Sequence, residues 1–190
     1  MADPPRPLAA LRILGAGAVA AAISLAAPAP AQTPNLEYAV KAAYLYKFAP
    51  FVEWPDSAFA SPTSPMVVCI AGDEPFGPVL ARTLDGKRAG QRPVVVRKLS
   101  RVEGRGDCHV LYLAGSKAQS VGDGLAAVRG TPVLTVTDSR SSGGVRGIVH
   151  FVIEANRVRF QIDEQAAARN GLSMSSKLLS LALSVKPRGA

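Results

Sequence analysis

The sequence has 190 residues, of which 48% are hydrophobic and 19% are charged, and its formal net charge is +8 at pH 7. This length suits one domain with a sizeable core, which argues against a multidomain protein. Beyond residue 31 no segment is long and apolar enough to span a bilayer. That argues against an integral membrane protein.

The N-terminal 31 residues have the pattern of a secretory signal peptide. Arg6 and Arg12 form a short positive segment, and residues 13–27 are apolar and uncharged. Residues 29–31 (Ala-Pro-Ala) place small side chains at the two positions that signal peptidase reads, which predicts cleavage after residue 31. An uncleaved anchor helix is the alternative, although the apolar stretch is shorter than the roughly 20 residues of a bilayer span. We therefore expect a single periplasmic domain of residues 32–190.

Loss of this leader removes Arg6, Arg12 and Asp3 and changes the formal net charge from +8 to +7. In an exported protein, a net positive charge argues against nucleic acid as the partner. It points toward an anionic membrane surface, a cell-wall polymer or an acidic protein face. A generally arginine-rich proteome would give the same balance without any partner.

The remaining chain begins with a predicted helix over residues 36–52, where apolar side chains recur on one face until Trp54-Pro55. Four short apolar runs then predict buried strands at residues 66–71, 92–97, 108–113 and 131–136. Predicted helices over residues 75–84 and 116–128 alternate with them. The order predicts an α/β fold with a mostly parallel sheet of about four strands and helices on both faces.

After the fourth strand the pattern changes. Residues 147–153 and 157–162 predict an antiparallel hairpin, with Asn156 in the turn. Two helices are predicted to follow, over residues 164–170 and 175–185. The hairpin is expected to extend the parallel sheet.

Cys69 and Cys108 are the two cysteines of the chain. An even number of cysteines in an oxidising compartment predicts one disulfide. A metal site is the alternative, but no cluster of His or Cys lies near either cysteine in the sequence apart from the single His109.

The sequence lacks catalytic and cofactor-binding patterns. His109 and His150 lie in apolar strands without a sequence partner for a catalytic triad. Residues 72–77 lack the Lys-Ser/Thr of a phosphate-binding loop. We therefore expect no enzyme, no metal and no cofactor. Asp73 and Asp138 follow predicted strands, at the edge where α/β sheets bind ligands, so a small-molecule receptor without a cyclase partner is the alternative function.

Two features predict a contact surface for a partner. Residues 82–105 contain eight basic and two acidic side chains, with Arg88 and Arg92 as candidate contacts. Five aromatic residues lie within residues 44–54 and cannot all face one core from a helix. Tyr46 and Trp54 are therefore candidate anchors for a partner. A solvated charged face and ordinary core packing are the alternatives.

Several segments in the same order make the chain resemble the YfiR-like family of exported proteins. They are residues 40–48, 52–55, 69–76, 108–112, 133–138, 143–144, 156–160 and 171–179. Together they cover essentially the whole chain after the leader.

The resemblance implies a periplasmic α/β protein, often a homodimer, that represses an inner-membrane diguanylate cyclase by binding its periplasmic sensor region. Release of the cyclase then raises cyclic di-GMP and favours biofilm. An outer-membrane lipoprotein is a further expected partner, because it sequesters the repressor in characterised systems. Cys69 and Cys108 match a disulfide of the family. Some members have a second pair, whereas residues 143–160 contain no cysteine here.

Overall fold

Five α-helices and ten strands alternate along residues 33–189 of this computed structural model, which describes those residues and residues 1–2. The helices are α1 (Thr33–Lys47), α2 (Pro78–Leu84), α3 (Val121–Ala127), α4 (Glu164–Arg169) and α5 (Ser176–Leu181). The strands are β1 (Val52–Glu53), β2 (Met66–Ala71), β3 (Arg88–Ala89), β4 (Arg92–Leu99), β5 (Val110–Leu113), β6 (Leu134–Asp138), β7 (Val149–Glu154), β8 (Arg157–Asp163), β9 (Ser173–Met174) and β10 (Ser184–Lys186). Apart from its first two residues, the predicted signal peptide lies outside the described residues.

Eight of these strands form one mixed sheet in the order β10-β8-β7-β6-β5-β2-β4-β3, and β1 and β9 pair separately. The five strands from β4 to β7 in that order are parallel to one another. β8 runs antiparallel to β7, as predicted for the hairpin. The prediction of a mostly parallel α/β sheet with an added hairpin is confirmed, but the sheet has eight strands instead of about four plus the two of the hairpin.

The direction of strand addition reverses next to β2, because β4 lies on one side of it and β5 on the other. α/β sheets commonly bind ligands at such a switch point, beyond the carboxyl ends of the strands. Here backbone contacts continue past those ends. The Ala114 N–H donates to the Ala71 carbonyl at 2.9 Å, and the Asp73 N–H donates to the Gly115 carbonyl at 3.3 Å. The segments after β2 and β5, here called the zipped segments, are therefore hydrogen-bonded to each other at the position where a crevice would open.

The sheet has a hydrophobic core on each face. All six residues of β2 are buried, and they alternate between the two cores. Met66, Val68 and Ile70 pack with α1 and α2, whereas Val67, Cys69 and Ala71 pack with α3. This alternation explains the continuous apolar run in the sequence. It also confirms that helices cover both faces.

Prolines shift the helix boundaries from their predicted positions. α1 ends at Lys47, and a 3₁₀ turn over Ala49–Phe51 follows, because Pro50 has no N–H to continue an α-helix. α2 begins at Pro78, where the fixed backbone angle of proline suits the first turn.

The helix predicted from Ser116 begins later, since Ser120 caps α3 by accepting a hydrogen bond from the Asp123 N–H.

The prediction of a final helix over residues 175–185 is wrong beyond Leu181. The chain turns there, and the Leu183 N–H donates to the Phe160 carbonyl at 2.7 Å. β10 then runs parallel to β8 at the edge of the sheet. The sequence Leu183-Ser-Val-Lys186 alternates apolar and polar side chains, which is the two-residue period of a strand.

Two local predictions are confirmed. Ala155 and Asn156 have φ values of 46° and 58°, as a two-residue hairpin turn requires. Cys69 and Cys108 form a buried disulfide with a Cα–Cα distance of 5.7 Å, which joins β2 to the segment that leads into β5. In the part of the chain that the structure describes, no helix has the length and apolar character needed to cross a bilayer.

Candidate functional site

A cleft of about 590 Å³ lies at the amino-terminal ends of β2 and β4. Its lining consists of Ala49, Pro50, Val52, Trp54, Pro55, Asp56, Phe59, Ala60, Ser61, Pro62, Met66, Ala89 and Arg92. Two of the candidate contacts predicted from the sequence, Trp54 and Arg92, therefore meet in one site. The cleft lies at the opposite end of the parallel strands from Asp73 and Asp138.

Arg92 is the basic group of this cleft. Its Nη1 donates to the carbonyls of Ser61 and Ser64, both at 2.8 Å, and its guanidinium lies 3.6 Å from the centre of the Phe59 ring. These contacts hold the side chain in one orientation. Nη2 and Nε have no hydrogen-bond partner among the described residues, so they can donate to an acceptor from outside.

Trp54 supplies the aromatic wall. Its indole meets the Phe59 ring edge-on, with 6.1 Å between the ring centres. The indole Nε1–H is enclosed and has no acceptor within the described part of the chain. Tryptophan and arginine are the side chains that most often dominate the energetics of protein interfaces. The cleft therefore combines an aromatic anchor, an oriented cation and proline-lined walls.

His109 supports the cleft from below. Its ring stacks on Phe59 with 4.2 Å between the centres. Nδ1 accepts a hydrogen bond from the Val67 N–H at 3.1 Å, and Nε2 donates to the Ala58 carbonyl at 3.0 Å. These bonds fix the neutral form, and burial lowers the pKa of His109, with the nearby Arg105 and Arg92 charges acting in the same direction. With both ring nitrogens occupied, His109 has a structural role.

Lowering the pH from about 8 to about 5.5 should therefore destabilise the protein. The folded pKa of His109 lies below the unfolded value of about 6.5, so the unfolded chain takes up the proton first. Its contribution to stability is complete above about pH 6.5 and is lost as the pH falls below that value. Burial and the Arg146 charge also lower the pKa of His150.

Urea unfolding across this pH range measures the effect. We expect His109→Asn to make the free energy of unfolding less dependent on pH, and a further His150→Asn substitution to flatten it more. The same slope in all three proteins would contradict the assignment.

Asp138 lies fully buried at the carboxyl end of β6, where Lys41 of α1 binds it. The Lys41 Nζ is 2.5 Å from Asp138 Oδ2 and 2.5 Å from Glu37 Oε1. Glu37 Oε2 in turn pairs with Arg140 Nη2 at 3.0 Å. Basic and acidic groups thus alternate in a four-membered chain, the Lys41 network, that fastens α1 to the end of β6.

Hydrogen bonds complete the surroundings of Asp138. The Arg140 N–H donates to Oδ1 at 3.0 Å, and the Tyr112 hydroxyl donates to Oδ2 at 3.4 Å. Burial raises the pKa of Tyr112, which keeps that hydroxyl protonated. Both carboxylate oxygens of Asp138 are therefore occupied by groups of the protein itself. In this conformation Asp138 offers no free oxygen to a ligand.

The other predicted contact residues lie apart from the cleft. Tyr46 is half-buried and packs against the core beneath α1. Asp73 is exposed beyond the end of β2. Arg88 is exposed on β3 and donates to the Gln91 carbonyl. Of the six side chains, the structure brings together Trp54 and Arg92.

Two of the eight basic side chains in residues 82–105 pair with carboxylates of the described residues. Arg97 lies 2.7 Å from Asp107 and Lys98 lies 2.5 Å from Glu74. Arg105 donates to the Ala58 carbonyl at 2.5 Å. The Ala58 carbonyl orients Arg105 but does not neutralise it, so most of the segment keeps its positive charge.

Comparison with protein families gives a match that covers most of the chain. A family model described as YfiR/HmsC-like matches residues 38–183. That span contains the cleft and both cysteines. A sequence search of curated proteins finds no significant match. The resemblance seen in the sequence is thereby confirmed, and the chain belongs to the YfiR/HmsC-like family.

Proposed function

We propose that this protein is a periplasmic regulator that binds the periplasmic sensor region of an inner-membrane diguanylate cyclase and represses it. The observation that carries this proposal is the family match over residues 38–183. YfiR-like proteins are periplasmic repressors of diguanylate cyclases, and the family is regulatory and not catalytic. The buried disulfide supports an oxidising compartment.

The aromatic cleft is the contact surface that we favour. The free donors of Arg92 suit a carboxylate, and Trp54 suits a large apolar side chain placed beside it. Repression then follows from affinity for the inactive state of the sensor, since a binding partner shifts an equilibrium by its differential affinity for the two states. Homodimer formation and sequestration by an outer-membrane lipoprotein belong to the same proposal.

Deletion of the gene should raise cellular cyclic di-GMP, and wild-type protein supplied in trans should lower it again. A Trp54→Ala/Arg92→Gln variant should accumulate but fail to lower it. Arg82→Gln is the matched control, because it removes one exposed charge from α2, outside the cleft. Cyclic di-GMP that is unchanged by deletion across growth conditions would contradict the function. Full complementation by the double variant would contradict only the choice of surface.

A receptor function, in which the protein binds a small molecule, is the second candidate. The cleft volume of about 590 Å³ lies within the range of ligand pockets. A ligand that occupies the cleft would compete with the partner and so tune repression. Thermal-shift screening of periplasmic metabolites separates the candidates: a shift that Trp54→Ala abolishes supports a receptor, and no shift supports the protein partner.

A further inference from the structure

Three arginines from separate segments line a cavity of about 130 Å³ beside α4. Arg129 follows α3, Arg146 precedes β7 and Arg169 ends α4. The other lining residues are Leu125, Thr135, Gly147, Ile148, Ala166 and Asn170. None of the nine is acidic. This arginine cavity lies on a different part of the sheet from the aromatic cleft.

The three guanidinium groups lack counter-charges. Within the described part of the chain, none of them forms an ion pair or a side-chain hydrogen bond. Other basic side chains, such as Arg97, Arg140 and Lys41, each pair with a carboxylate. Like charges that share a cavity repel each other, so an anion bound between them is favoured electrostatically.

Asn170 holds two of the arginine-bearing segments together. It is 7% exposed, its Oδ1 accepts a hydrogen bond from the Gly130 N–H, and its Nδ2 donates to the Val133 carbonyl, both at 3.0 Å. The first of these bonds joins Gly130, the residue after Arg129, to Asn170, the residue after Arg169.

Gly147 fixes the third segment. A Cβ at this position would lie 2.9 Å from the Thr135 carbonyl oxygen, so the backbone beside Arg146 approaches β6 as closely as only glycine allows. The Gly147 N–H donates to Thr137 Oγ1 at 2.9 Å. The backbone that carries the three arginines is therefore held in place before any ligand arrives, which lowers the entropic cost of binding.

We propose that the arginine cavity binds a small oxyanion of the phosphate or sulfate class. Guanidinium groups match the oxygens of such anions in paired hydrogen bonds. Arg169 also lies in the last turn of α4, where a cation interacts favourably with the helix dipole. That interaction does not account for Arg146, which lies outside any helix. The oxyanion can be free in solution or part of a lipid headgroup, since both present the same chemistry.

Isothermal titration of the purified protein with sodium phosphate, at an ionic strength held constant with chloride, tests the site. We expect one bound anion per chain and an affinity that falls by about 10- to 100-fold in Arg146→Gln, the range for loss of hydrogen bonds to a charged group. Arg82→Gln on α2 removes the same charge elsewhere and should leave the affinity unchanged. In phosphate-free buffer, Arg146→Gln should melt no lower than the wild type, because it removes repulsion.

Arg129→Gln provides a second variant with the same expected loss. Flotation with phosphatidylglycerol vesicles then distinguishes the source of the anion. Flotation that free phosphate competes away, and that Arg146→Gln abolishes, assigns a lipid headgroup. Phosphate binding without flotation assigns a free oxyanion. Absence of both kinds of binding, or binding that both arginine variants retain, would overturn the proposal.

Discussion

Replacement of Lys41 by Met should destabilise the protein by about 3–5 kcal/mol, the usual effect of removing one partner from a buried ion pair. Lys41 and Asp138 are both 0% exposed, and their charged atoms lie 2.5 Å apart. Methionine keeps the unbranched stem of the lysine but leaves the Asp138 carboxylate buried without its cation. Urea unfolding followed by the fluorescence of the single tryptophan measures the change.

Lys98→Met is the matched control for this prediction. Lys98 also lies 2.5 Å from a carboxylate, that of Glu74, but its side chain is 64% exposed. Exposed pairs contribute about 0–1 kcal/mol, so this variant should be nearly neutral. The double variant Lys41→Met/Asp138→Leu should recover part of the stability that Lys41→Met loses, because no isolated charge remains. Equal losses in Lys41→Met and Lys98→Met would show that burial is not the cause.

In the part of the chain that the structure describes, the Lys41 network also blocks the Asp138 carboxylate at the end of β6 from a ligand. In many α/β folds the carboxyl ends of the strands face a crevice that admits a ligand. Here the Lys41 side chain of α1 occupies that position and neutralises the Asp138 carboxylate. The cleft where Trp54 and Arg92 meet lies instead at the amino-terminal ends of β2 and β4. The sheet therefore presents its cleft at the end where this fold class seldom binds ligands.

Local sequence patterns were sufficient to predict much of the fold. The apolar runs of β2 and β5 predicted strands buried on both faces, and Asn156 predicted the hairpin turn. These features depend on neighbours in the sequence. Lys41 differs, since Glu37 lies four residues before it and the two together resemble an ordinary pair on an exposed helix face. Asp138, which explains its burial, lies 97 residues away.

The candidate site was predictable by residue type but not by geometry. Trp54 and Arg92 were identifiable as an aromatic anchor and a cation, yet their meeting depends on loop carbonyls at Ser61 and Ser64 that orient the guanidinium. The basic segment showed where positive charge is concentrated, but not that Arg97 and Lys98 are paired. The arginine cavity, in contrast, gathers residues too far apart in the chain to form a visible motif.

Replacement of Gly72 by Ala should cost about 2–5 kcal/mol, for two independent reasons. Gly72 has a φ of +89°, a backbone conformation that a residue with a Cβ adopts only at a cost. In addition, the new Cβ would lie 1.8 Å from the Ala114 carbonyl oxygen, which is a backbone atom and cannot rotate away. Relief of that contact requires the segments after β2 and β5 to separate.

Gly86→Ala isolates the first of these reasons. Gly86 also has a positive φ, +63°, but nothing lies within 4 Å of a Cβ built there. It should therefore cost only the backbone term, about 1–2 kcal/mol. Urea unfolding of the two variants gives the difference, which measures how tightly the zipped segments hold the switch point closed. If Gly72→Ala cost no more than Gly86→Ala, those segments would separate easily, and a ligand crevice at Asp73 would become accessible.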